Sequence, residues 1–137
     1  MTAKEYLNQA RHIDLRIDSK LETIARLGEL SMKATSTLTD MPGSPSRDIH
    51  KREKILVKII DLENEVNDDI DKLVDLKREI MTVINSVDDE DCQVLLEKRY
   101  ICLQEWQEIA DDMAVDLRTV YRIHGKALNK VDILKKY

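Results

Sequence analysis

The stretch Trp106-Gln107-Glu108-Ile109-Ala110-Asp111-Asp112-Met113-Ala114-Val115-Asp116-Leu117-Arg118-Thr119-Val120-Tyr121-Arg122-Ile123 has the apolar spacing of two short helices that cross at a tight turn. Ile109 and Met113, four apart, share the inner face of the first helix, and Ala110 is small where a second helix must pass closely. Val115 fills the turn. Val120 and Ile123 form the inner face of the second helix, and Asp116 is placed to cap it. At Ala114, where such a turn favours glycine, a left-handed backbone would carry some strain.

Working back from this segment, Asp88-Asp89-Glu90-Asp91 suits a helix start, where carboxylates meet the positive end of the dipole. Three short helices are expected, near 89–101, 104–112 and 117–133. Ahead of them the apolar period is seven. Ala3, Ala10, Ile17, Ile24, Ser31 and Leu38 recur along one helix, interleaved with Tyr6, Ile13, Leu27 and Ala34, and Lys20 is the polar exception. Thr2 and Glu5 have the spacing of a capping box at its start. A second helix repeats Ile59, Val66, Leu73, Ile80 and Val87 with Leu62, Leu76 and Val83, interrupted by Asp69 and capped by Asp48.

Pro42 and Pro45 place a loop at 39–47 between these two helices, which have similar lengths and favour an antiparallel hairpin over an extended parallel coiled coil. Ile55, Leu56, Ile60, Ile70 and Ile84 widen the second stripe beyond what one partner helix covers, so a homodimer or higher homo-oligomer through these helices is expected. The chain therefore reads as all-α, with a helical hairpin and oligomerisation element over 1–87 and a helix-turn-helix domain over 88–137.

Composition sets the outer limits. The 137 residues include three Gly, two Pro, no Phe and 4% aromatics, too few turn and strand residues for a sandwich or barrel. No apolar run approaches membrane-spanning length, and the amino terminus lacks a signal-peptide pattern, so a cytoplasmic protein with no membrane partner is expected. Cys92 and Cys102 read as ordinary reduced thiols, and His12, His50 and His124 are too scattered for a metal set. His124 reads as a boundary residue of the small core, and Trp106 as packing against the preceding helix. With no phosphate loop, nucleophile elbow or metal motif, neither an enzyme nor a cofactor is expected.

Cys92-Gln93-Val94-Leu95-Leu96-Glu97-Lys98-Arg99-Tyr100, then Trp106 to Met113, then Arg118 through Leu128, resembles region 4 of sigma-70-type factors. A long helical segment ahead of such a region is similar to small phage and prophage transcription regulators of the ArpU and RinA late-gene activator type. The resemblance implies binding to double-stranded DNA and control of phage genes, with RNA polymerase as a further partner. No counterpart of the promoter-melting region is present, so a complete sigma factor is not implied.

Charge points the same way. Residues 117–137 carry six basic side chains and one acidic (net +5), whereas 88–112 carry nine acidic and two basic (net −7). Phosphates repel acid, so a DNA-reading helix should gather the cations. Arg118, Arg122 and Lys126, spaced four apart, share one face, with Thr119 and Tyr121 flanking it. Arg118 and Arg122 suit guanine edges, while Lys126, Lys130 and Gln107 suit the DNA backbone. Two other readings accommodate the same pattern: a phage small terminase subunit, and an RNA-polymerase-binding adaptor that uses the acidic 88–112 face without DNA specificity of its own.

Overall fold

The computed structural model describes residues 1–40 and 45–134, and the side chains of 1–33 and 49–134. The described chain is all-α: α1 (Ala3–Asp40), α2 (Pro45–Asn85), α3 (Glu90–Leu96) running into a π-helical turn (Glu97–Ile101), α4 (Trp106–Met113) and α5 (Leu117–Leu134). No described helix is long and apolar enough to cross a membrane.

Two helix starts show what local chemistry does. At α1 the capping box forms: the Glu5 amide donates to Thr2 Oγ1 at 3.2 Å and the Thr2 amide to Glu5 Oε2 at 3.0 Å. At α2 the expectation fails. The helix begins at Pro45 rather than after Asp48, because proline at the first helical position has the right φ and lacks only an N–H that would have no intrahelical partner. The side chain of Asp48 and residues 41–44 of the expected loop lie outside the described residues.

The chain forms two compact units, Leu15–Asp71 and Met1–Asp14 with Lys72–Tyr137. The start of α1 and the end of α2 thus group with α3–α5, a division that runs differently from chain order.

In the Leu15–Asp71 unit the two helical segments run antiparallel, since only four residues separate α1 from α2 and Lys20 on the first meets Asp69 on the second. Ile17 and Val66 are buried in the shared seam. The two polar interruptions of the apolar stripes are partners: Lys20 Nζ donates to Asp69 Oδ2 at 2.7 Å, and only 5% of the Asp69 side chain is exposed. A carboxylate that deep is tolerated because a cation neutralises it and donates to it.

In the other unit, Tyr6, Leu7 and Ala10 of α1 are buried, as are Ile80, Val83, Ile84 and Val87 at the end of α2 and loop start. Leu7 is fully covered and contributes about 2 kcal/mol by the usual transfer scale, so the beginning of α1 is a structural part of this unit. Asp132 of α5 reinforces it by accepting the Ala3 amide at 3.1 Å, and Tyr6 Oη donates to Glu79 Oε1 at 3.0 Å. Leu95, Leu96, Tyr100, Ile109, Ala110, Val120, Ala127 and Val131 complete the core.

The expected helix at 89–101 is α-helical only to Leu96, then widens into the π turn, where the Cys102 amide reaches the Glu97 carbonyl at 3.0 Å. The residues of that turn hold the next two helices. Tyr100 is buried and Arg99 nearly so.

Candidate nucleic-acid interface

The turn between α4 and α5 is built from backbone bonds that suit a left-handed residue. Ala114 sits at φ 56° and ψ 42°, its amide donates to the Asp111 carbonyl at 3.2 Å, and the Val115 amide donates to the Ala110 carbonyl at 3.0 Å. Asp116 then caps α5 as expected, accepting the Thr119 amide at 2.8 Å, and these hydrogen bonds hold its carboxyl below the usual range. Because alanine in this backbone region is strained by about 1–2 kcal/mol, Ala114→Gly should raise stability by up to about 1 kcal/mol after the glycine's unfolded-state entropy is subtracted. A rise in urea midpoint with unchanged slope is the expected readout; a fall would show the turn to be unstrained.

α5 has one inner and one outer side. Val120, Ile123, Ala127 and Val131 are buried where it packs on α3 and α4. Arg118, Tyr121, Arg122, Gly125 and Lys126 are exposed. Thr119 is half-buried. Arg118 and Arg122 form no ion pair with any described residue. Gly125 has nothing within 4 Å of where a Cβ would stand, so its smallness serves no contact among the described residues.

The two lysines behave differently. Lys126 Nζ donates to Asp89 Oδ2 at 2.9 Å and Lys130 Nζ to Asp88 Oδ1 at 2.7 Å. Each four-residue step along a helix advances by about 40°, so by Lys130 the basic row has turned about 120° from Arg118, towards the acidic turn that precedes α3. Asp89 is doubly held, since its other oxygen caps α3 through the Cys92 amide at 3.1 Å. The Lys126 contact and that cap bring its carboxyl down to about 2; the Lys130 hydrogen bond likewise lowers Asp88, and Asp89 raises Lys126. Asp89 thus caps a helix, as the composition of this stretch suggested, and Asp88 and Asp89 together neutralise two of the expected DNA contacts. The opposite charges of 88–112 and 117–137 were the available signal for that pairing.

Gln107 lies along α4, donating to Asp111 Oδ1 at 3.1 Å. Trp106 is a packing residue: the Arg99 guanidinium lies 4.2 Å from its ring centroid, and the rings of His124 and Tyr121 meet it edge-on at 4.7 and 5.5 Å. It therefore touches both the preceding turn and α5. His124 is buried at 8% exposure, and its Nε2 lies 2.6 Å from Tyr100 Oη. Burial, with Lys4 and Arg99 nearby, pulls His124 down to about 4, while burial pushes Tyr100 up to about 12. At neutral pH the phenol therefore donates and the neutral imidazole accepts. This bond locks α5 to the π turn and so sets the tilt of the exposed arginines.

A family model described as a protein of unknown function (DUF1492) matches residues 46–132, which takes in nearly all of α2, the whole of α3 and α4, and most of α5. No curated protein and no solved structure matches the chain.

Proposed function

The chain belongs to the DUF1492 family, and we propose that this member is a sequence-specific DNA-binding regulator of phage or prophage transcription, with α4 and α5 as a helix-turn-helix. α5 enters the major groove by its amino-terminal half. The observation that carries the reading is the two-sidedness of α5, which buries Val120, Ile123 and Ala127 while presenting Arg118, Tyr121 and Arg122 outward, the two arginines in no ion pair with a described residue. Arg118 and Arg122 read guanine edges, and Thr119, Lys126, Lys130 and Gln107 contact the backbone or flanking bases. Open space at Gly125 lets a phosphate strand approach the helix. The resemblance of the carboxyl-terminal part to sigma-70 region 4, and of the whole chain to ArpU- and RinA-type activators, supplies the transcriptional half of the proposal.

In the Leu15–Asp71 unit, Leu56, Ile60 and Ile70 of α2 are exposed at 41–55%. This apolar row supports association of two copies through the hairpin, which would place two α5 helices on related half-sites.

Selection of bound fragments from a random duplex pool should yield a recurring motif. On that motif Arg122→Ala should weaken binding by about 1–3 kcal/mol, some 5- to 150-fold, while changing affinity for random duplex far less. Equal loss on both would reduce Arg122 to a phosphate contact. Failure to enrich any sequence would overturn the reading.

A further inference from the structure

The positions at which two α5 lysines could grip DNA are already occupied by carboxylates of the same chain. Lys126 and Lys130 reach Asp89 and Asp88, 37 and 42 residues away in sequence, at 2.9 and 2.7 Å. Arg122 lines the same small cleft as the Asp89–Lys126 pair, together with Asp91, Cys92 and Ile123. The acidic side of each pair is the better anchored or the more exposed. Asp89 is fixed by its second task as helix cap, whereas 56% of the Lys126 side chain and 82% of the Asp88 side chain are exposed.

We propose that Asp88 and Asp89 are phosphate surrogates, holding Lys126 and Lys130 in an autoinhibited arrangement until backbone phosphates of a DNA duplex replace them. The proposal rests on the DNA-binding reading of α5 and adds to it a control on affinity. An ammonium donates to a phosphate oxygen in the geometry in which it donates to a carboxylate oxygen, so the exchange needs only rotation of two lysine side chains. Surface ion pairs in water are weak enough to be exchanged. The freed carboxylates then stand close to the incoming strand and repel it. A random duplex, gripped by phosphate contacts alone, must overcome that repulsion unaided. A cognate site adds the base contacts of Arg118 and Arg122, so the pairs raise the ratio of specific to non-specific binding.

The test uses the full chain with Asp88→Asn/Asp89→Asn, in which asparagine retains the capping oxygen of residue 89. Affinity for a random-sequence 30-mer duplex is measured by fluorescence anisotropy over a salt series. The variant should bind about tenfold tighter or more at low salt, because two cations become available for phosphate. Two further variants separate local from bulk charge. Glu90→Gln/Glu97→Gln makes the same change in net charge on exposed residues that form no ion pair with a described residue, and should give a much smaller gain. Adding Lys126→Met/Lys130→Met to Asp88→Asn/Asp89→Asn should abolish the gain. Equal gains from the two acidic double variants, or a gain that survives loss of the lysines, would overturn the surrogate role while leaving DNA binding intact. Absence of binding by the unaltered chain and every variant at low salt would overturn the DNA-binding reading with it.

Discussion

Replacing Asp69 with alanine is expected to destabilise the Leu15–Asp71 unit by about 2–3 kcal/mol, the largest single-residue effect outside the small core. The side chain of Asp69 is 5% exposed and holds Lys20 at 2.7 Å, so its removal leaves an ammonium against an apolar seam between Ile17 and Val66. The loss lies below the most severe cases because Lys20 is 22% exposed and its head can rotate towards water. Lys20→Met/Asp69→Leu should recover most or all of the stability, since desolvation of both ions disappears with the pair. A double-mutant cycle by urea denaturation isolates the coupling. If Asp69→Ala has no effect, or the apolar pair is as unstable as the single variant, the pair does not hold the seam as described.

The second large effect is with pH. His124 titrates near 4 when folded and near 6.5 when free, so between these values the unfolded chain binds more protons than the folded one. Stability from this group is complete above about 6.5 and is lost as pH falls towards 4, amounting to about 3 kcal/mol over the window. The cause is local: protonation would put a cation beside Lys4 and Arg99 inside the core, and would take away the acceptor of the Tyr100 hydroxyl. His124→Gln keeps an acceptor for Tyr100 and cannot titrate. The difference in unfolding free energy between the unaltered chain and this variant should therefore shrink steadily from pH 7 to pH 4. A constant difference would show that His124 titrates normally and is not sealed by Trp106 and Tyr100.

Much of this architecture is legible in the sequence because it is periodic or local. The seven-residue stripes marked Ala3, Tyr6, Ala10 and Ile17 on α1, and Val66, Leu73, Ile80 and Val83 on α2, all of which are buried. The capping box at Thr2 and the cap at Asp116 follow from residue chemistry over three or four positions, and the left-handed turn at Ala114 from its place between two short apolar patterns rather than from alanine itself. What escaped was pairing at a distance. Lys20 and Asp69 read as two separate flaws because periodicity treats each helix alone, whereas they are one interaction between helices. Asp88 and Asp89 explain themselves locally as helix-start acids, which hides the lysines 37 and 42 residues downstream. The π turn and the left-handed Leu103 (φ 57°) carry no residue signature, since leucine is an unfavourable choice there. Arg99 was legible only as a basic residue before Tyr100; its place over Trp106 depends on that widened turn.

The most direct measurement of the proposed role is an amide chemical-shift map of the isotope-labelled chain titrated with a selected duplex. Shifts and broadening should concentrate in residues 117–126, with those of Arg118, Tyr121 and Arg122 among the largest, and spread to Asp88 and Asp89 as their lysines change partners. Unchanged spectra at saturating duplex, or changes confined to the acidic surface of residues 97–112, would contradict the account.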